Sequence, residues 1–205
     1  MVQLKATSLE KYFGRKQVFT GLTFSFEAAV IGIAGANGAG KSTLLKCLTG
    51  LLKPTSGSVE WKLKDAALTP KNLKRHLGFT APYIQLYEEL TVNENLQFIV
   101  DLQNGNPAVS IPALLNRFEA GELSQHTYGT LSTGQQQRIK LAAAIIHQPE
   151  ILVLDEPGSN LDAKGKTAVR ALISEFRQHH KMVLLASNQP DELDLCDDIL
   201  NLNHN

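Results

Sequence analysis

The run Gly35-Ala36-Asn37-Gly38-Ala39-Gly40-Lys41-Ser42-Thr43 constrains this chain more than any other feature. It matches the pattern G-x-x-x-x-G-K-[ST]. Before it stands a continuously apolar segment, Val30-Ile31-Gly32-Ile33-Ala34, and after it Leu44, Leu45 and Leu48 share one helical face, with Gly50 as a stop. A buried strand feeding a glycine-rich loop that opens a helix is the context in which this pattern cradles phosphate. The glycines let the backbone wrap a phosphate with its N–H groups inward, and the helix N-terminus adds partial positive charge. Lys41 is expected on the β- and γ-phosphates and Ser42 on Mg²⁺, with the loop from Gly35 to Thr43 holding the nucleotide. A glycine turn with a surface lysine is the bland alternative, and the flanking strand and helix weigh against it. The expected ligand is a nucleoside triphosphate.

Downstream, Ile151-Leu152-Val153-Leu154 leads into Asp155-Glu156. An acidic residue at the carboxyl end of a buried parallel strand faces the crevice where open α/β sheets bind ligands. Asp155 is expected to hold Mg²⁺, and Glu156 to polarise or deprotonate the attacking water. Strand and helix patterns alternate around these motifs. Leu4–Phe26 is strand-like, Ser58–Leu63 reads as a strand, and Thr133–His147 reads as a helix stopped by Pro149. Val169, Leu172, Ile173 and Phe176 mark an amphipathic helix, and Met182–Ala186 the next strand. Such alternation predicts a parallel sheet covered on both faces. Between the two halves, Thr91-Val92-Asn93-Glu94 has the form of a capping box, followed by Leu96, Ile99 and Val100 at helical spacing. A polar break, Asn104-Gly105-Asn106-Pro107, precedes a second short helix near Ile111–Phe118, so Glu88–Thr130 reads as a helical insertion.

Composition removes several other classes. Twenty Lys and Arg balance twenty Asp and Glu, which argues against nucleic acid as a direct partner. The two cysteines, Cys47 and Cys196, form no CxxC, and the six histidines form no HExxH. That suits a reducing compartment and no structural zinc. Met1–Lys11 is charged and lacks the apolar core of a signal peptide. The longest apolar stretch, Ala28–Ala36, is about half the ~20 residues a membrane span needs.

One further segment carries a family resemblance. Leu131-Ser132-Thr133-Gly134-Gln135, followed by Gln136-Gln137-Arg138 and a helix, resembles the LSGGQ signature of ATP-binding cassette (ABC) ATPases and stands just upstream of the Asp-Glu strand. Ser159-Asn160-Leu161-Asp162 resembles the D-loop of that family, and Phe13 stands where the family stacks an aromatic on adenine, with Tyr12 as the neighbouring alternative. The resemblance implies an α/β P-loop NTPase (RecA-like) parallel-sheet core with an N-terminal antiparallel β subdomain and an inserted α-helical subdomain. It implies one domain over 1–205, with the core from 1–87 and 131–205 and the insertion from 88–130.

The same resemblance implies ATP and Mg²⁺ as cofactors and a head-to-tail homodimer or heterodimer. In it Ser132, Gly134 and Gln135 of one copy close over the ATP on the other's phosphate loop, and the D-loop's Asp162 joins the nucleotide-binding set. Hydrolysis would drive integral membrane transporter subunits, gripped near the junction of core and insertion on the cytoplasmic face of the inner (plasma) membrane. The short length resembles the ATPases of bacterial haem-export and cytochrome c maturation systems. Tyr83, Leu86 and Tyr87 are candidates for that partner surface, or they pack the insertion onto the core.

Three positions depart from the family pattern. Thr133 replaces a signature glycine, which matters if its φ is positive. Aligning Leu77-Gly78-Phe79 with the start of the Q-loop puts Pro82 where a glutamine normally meets Mg²⁺ and water, leaving Gln85, three residues on, as the candidate. Asn188 follows the strand Met182–Ala186 where the family usually has histidine; its amide can donate to the γ-phosphate but cannot become cationic. ATP hydrolysis, slowed by these replacements, is the expected activity. A nucleotide-gated clamp with little turnover, or a soluble ABC ATPase outside transport, is the alternative.

Overall fold

In the computed structural model, which describes residues 1–27, 29–102 and 109–202, the strand-like N-terminal stretch forms a long hairpin. Val2–Phe13 (β1) pairs antiparallel with Lys16–Glu27 (β2), turning at Gly14, whose φ of 58° is a left-handed angle that glycine adopts without steric cost. Val30–Ala34 (β3) is buried at all five positions and delivers the glycine-rich loop to the helix Lys41–Leu48 (α1). Ser56–Leu63 (β4) returns to pair with β1, and Ala66–Ala67 (β5) pairs at its edge. Pro70–Leu73 (α2) is a single helical turn begun by the Thr69 side chain. Leu77–Thr80 (β6) then enters the second sheet.

The middle of the chain is helical, as Val92–Leu102 (α3) and Ile111–Arg117 (α4). The capping box forms: Thr91 N–H donates to Glu94 Oε2 at 2.7 Å, and Glu94 N–H to Thr91 Oγ1 at 3.1 Å. Buried Asn95 fastens the preceding loop to α3, accepting from Tyr87 N–H at 2.8 Å and donating to Tyr87 O at 2.9 Å. The polar break at Asn104–Pro107 lies outside the described residues. Thr133–Ile145 (α5) ends two residues short of His147, where Gln148 takes a left-handed φ of 51° ahead of Pro149. Ile151–Asp155 (β7), Ala163–Gln178 (α6), Met182–Ser187 (β8), the short turn Pro190–Leu193 (α7) and Asp198–Asn201 (β9) complete the chain.

Two sheets result: an antiparallel one in the order β2-β1-β4-β5, and a parallel one in the order β6-β7-β8-β3-β9. The parallel strands are apolar at successive positions because both faces are covered. Alternation divides their side chains between two cores. Leu152, Leu154, Val183 and Leu185 join α3, α4, α5 and α6. Ile151, Val153, Met182 and Leu184 join α1 and the antiparallel sheet. Leu44 and Leu45 of α1 have no exposed surface, and truncating either to alanine costs about 2–5 kcal/mol at such positions. Trp61 of β4 donates its indole N–H to Leu48 O at 2.7 Å, satisfying one of the carbonyls left open at the end of α1. The sheet, α1 and the hairpin thus fix the loop between β3 and α1 from three sides.

Candidate functional site

Gly38 and Gly40 turn the loop with φ of 83° and 100°. A Cβ on Gly40 would stand 2.6 Å from Val18 Cγ1, so only glycine lets the loop close onto β2. Lys41, 6% exposed, folds back over the loop. Its ammonium donates to Gly35 O at 2.8 Å and Ala36 O at 3.4 Å, and pairs with Glu156 Oε1 at 3.4 Å. A cleft of about 430 Å³ opens here, lined by Asn37, Gly38, Gly40, Lys41, Ser42, Thr43 and Glu156, with Phe13, Lys16, Gln17 and Val18 from the hairpin. Phe13, 52% exposed, forms part of the wall with Lys11 Nζ 4.9 Å from its ring centroid. Tyr12 instead turns to Gln17 Oε1, 3.4 Å from its hydroxyl, and does not line the cleft.

Asp155 ends β7 with 1% exposure, and neither carboxylate oxygen has a hydrogen-bond partner among the described residues. Burial pushes its carboxyl above the ordinary value, against the pull of the Ser42 hydroxyl and of the Lys41 and Lys46 ammonium groups. Open carboxylate oxygens facing a hydroxyl suit Mg²⁺, which takes one or two protein oxygens together with substrate phosphates and water. No cluster of three or more His, Cys, Asp or Glu side chains among the described residues is arranged to hold a metal. A cation here depends on Ser42, Asp155 and the nucleotide itself.

Glu156 sits at a φ of 49°, a costly conformation for a residue with a side chain. Its N–H donates to Ala186 O at 2.9 Å, and its carbonyl accepts from Ser159 N–H at 3.2 Å and Ser159 Oγ at 2.8 Å. These bonds hold the strained turn. Burial raises the Glu156 carboxyl, Lys41 pulls it down, and Glu192 and Asp155 push it up again. Asn188, just past β8, donates Nδ2–H to Asn37 Oδ1 at 2.9 Å, so the residue in the histidine position reaches the phosphate loop.

The remaining predicted residues lie elsewhere. Ser132 caps α5 in a capping box: its N–H donates to Gln135 Oε1 at 2.9 Å, and Gln135 N–H to Ser132 Oγ at 3.3 Å. Thr133 opens that helix without a positive φ, so the replacement carries no backbone strain. A Cβ on Gly134 would meet Asn160 O at 2.9 Å. Asp162 caps α6 through Gly165 N–H at 2.9 Å and accepts from Arg138 at 2.7 Å. The Gly165 bond first, then Arg138, holds its carboxyl below the ordinary range. None of Ser132, Gly134, Gln135 and Asp162 lines the cleft of their own chain.

Gln85 is exposed and also outside the cleft. Pro82 is exposed, its carbonyl 3.5 Å from Lys140 Nζ. The next residue is different: the Tyr83 ring has Lys46 Nζ 3.7 Å from its centroid and Phe79 at 6.4 Å. Sequence reasoning took Tyr83 only as a partner-facing or packing residue. The available signal was Lys46, four residues after Ser42 and therefore on the same helical face.

Residues 19–159 match the ABC transporter family. Over 203 residues the chain is 31% identical to an uncharacterized ABC transporter ATP-binding protein of Methanocaldococcus jannaschii, covering 97% of this chain and 73% of that one. It is 29% identical over 203 residues to the lantibiotic transport ATP-binding protein SrtF of Streptococcus pyogenes, covering 96% and 85%. A solved dimeric post-hydrolysis state of an ATP-binding cassette bound to ADP and Pi shares its fold, with a TM-score of 0.83 at 24% identity, covering 98% of this chain and 94% of that one.

Proposed function

The chain belongs to the ABC transporter family as an ATP-binding cassette, and we propose that it hydrolyses Mg²⁺-ATP between two cassettes to drive membrane-spanning partners. The observation that carries this reading is the convergence of Lys41, Glu156, Asp155 and Asn188 on one glycine loop. Lys41 turns from Gly35 O and Glu156 to the β- and γ-phosphates, replacing a carboxylate and carbonyls by a stronger anion. Glu156, released from its ion pair, accepts a proton from the attacking water. Asn188, held by Asn37, donates an amide hydrogen bond to the γ-phosphate. Ser42 and Asp155 hold Mg²⁺, whose chemistry there is to neutralise charge on the phosphate oxygens. Phe13 stacks on the base.

The signature supports a head-to-tail pair. Ser132 and Thr133 are exposed at the N-terminus of α5, outside their own cleft. A second copy, or a related cassette, brings that N-terminus and its partial positive charge over the γ-phosphate. Membrane partners are supported by the transport named for SrtF and by a groove of about 240 Å³ beside β6, lined by Phe79, Ile84, Leu86, Ile99, Lys140 and His147 among others. Exposed Tyr87 and Phe98 stack edge-on at 5.3 Å nearby. No helix among the described residues is long and apolar enough to cross a membrane; in this reading the chain docks on separate membrane-spanning partners from the cytoplasmic face.

The test is ATP turnover against protein concentration, with Glu156→Gln as the blank. Turnover per chain that rises with concentration and vanishes in the variant supports a catalytic dimer. ATP binding with turnover no higher than the blank at every concentration rejects hydrolysis by this chain alone and favours the clamp, which the replacement of histidine by Asn188 would explain.

A further inference from the structure

The loop after β6 sets a phenol, Tyr83, against the helix that carries Ser42. Lys46 follows Ser42 by one turn of α1, so both project from the same flank of the helix. Lys46 Nζ stands 3.7 Å from the Tyr83 ring centroid, and Phe79 meets the ring in a tilted contact at 6.4 Å. This cation–π contact ties the loop to the helix that carries Ser42. Asp155, whose charge is felt at both Lys46 and Tyr83, has two buried oxygens that lack partners among the described residues.

We propose that Tyr83 is a positioning residue for Mg²⁺-ATP, its hydroxyl supplying from this loop the polar contact to the cation's water shell that Pro82 and Gln85 do not provide. The proposal rests on the reading of the cleft as a Mg²⁺-ATP site. A phenol both donates and accepts a hydrogen bond, as a water held between cation and loop requires. Tyr83 is 43% exposed, which leaves room for such a bridging water. Burial first, then the charge of Asp155, push its hydroxyl up from the ordinary value, which sets the phenol within the field of that carboxylate. Pro82 has no polar side-chain group and its carbonyl faces Lys140. Neither Tyr83 nor Gln85 lines the cleft of the nucleotide-free chain; what singles out Tyr83 is its ring contact with Lys46, one turn from Ser42.

The experiment measures binding of a fluorescent ATP analogue, with Mg²⁺ and with EDTA, in the Glu156→Gln background where turnover does not interfere. Tyr83→Phe keeps the ring and its contact with Lys46 and removes only the hydroxyl. It should lose about three- to tenfold of the Mg²⁺-dependent affinity, the size of one hydrogen bond, with binding in EDTA unchanged. Tyr83→Gln should recover most of that loss by restoring a donor and acceptor. Equal binding by Tyr83→Phe and its parent, or equal weakening with and without Mg²⁺, overturns the proposal, the second by showing a packing role. Loss of the Mg²⁺-dependent affinity in Gln85→Ala with none in Tyr83→Phe overturns it in favour of Gln85. A parent that already shows no Mg²⁺ dependence overturns the site reading itself, which separates the two failures.

Discussion

Asp155→Asn should stabilise the nucleotide-free protein while abolishing its response to Mg²⁺-ATP. The wild-type carboxylate is 1% exposed and both oxygens are without hydrogen bonds among the described residues. An unsatisfied buried polar group costs about 1–3 kcal/mol, and more when charged. The amide remains a buried polar group, so the variant gains only the excess cost of the charge, which the Ser42 hydroxyl first and then Lys41 and Lys46 partly offset; a net gain of about 2 kcal/mol is left. In a chain of this size, that corresponds to a rise in Tm of roughly 4–8 °C. The sign with pH follows from the raised carboxyl. A group whose folded pKa lies above its unfolded value contributes stability that is full below the unfolded value and lost as pH rises through the folded one. The advantage of the variant should therefore grow with pH above the ordinary carboxylate value and vanish in acid. Thermal melts at several pH values, with and without Mg²⁺-ATP, make the measurement. A ligand-free variant that melts below wild type at neutral pH would refute the reasoning, because it would show the carboxylate to be satisfied in the empty site.

Three further outcomes are expected. Phe13→Ala should weaken ATP binding about tenfold, since stacking a base on an aromatic is worth about 1–3 kcal/mol, and Tyr12→Ala, which removes a ring outside the cleft, should change it much less; equilibrium binding decides. Turnover should fall on the acid side as Glu156, raised by burial and held down by Lys41, takes up a proton. Because bound phosphate draws Lys41 away, the acid limb of kcat should lie at higher pH than that of kcat/KM; coincident limbs would show the pair intact in the complex. Trp61→Phe should cost about 1–3 kcal/mol by leaving Leu48 O unpaired in a buried place, read as a lower midpoint in urea unfolding followed by circular dichroism.

What the sequence revealed and what it concealed follow from the range of the forces involved. The glycine loop, the Asp-Glu strand and the capping box at Thr91 are local patterns, and each forms as the spacing predicts. The alternation of strand and helix likewise foretold the parallel sheet. The ion pair between Lys41 and Glu156 and the bond from Asn188 to Asn37 span 115 and 151 positions. No periodicity encodes them, since they arise only when β3, β7 and β8 lie side by side. Thr133 illustrates a question that only backbone angles answer: as the first helical residue after the Ser132 cap, it needs no glycine. Tyr83 reads from sequence only as a partner-facing or packing residue because alignment to a motif asks which residue occupies a position, whereas its place depends on Lys46 and Phe79 meeting at one ring.

The parallel sheet is a wall shared by two rooms. Alternate residues of β7 and β8 face α1 and the hairpin on one side and α3 to α6 on the other. The glycine loop, through Ala39, belongs to the first compartment, and Ile139, Leu141 and Ala142 of the signature helix α5 to the second. Within β7 and β8 no side chain serves both rooms, because successive residues of a strand face opposite ways. A lineage of such chains can therefore reshape the helical room while the packing behind the glycine loop is inherited unchanged, provided the wall itself stays straight.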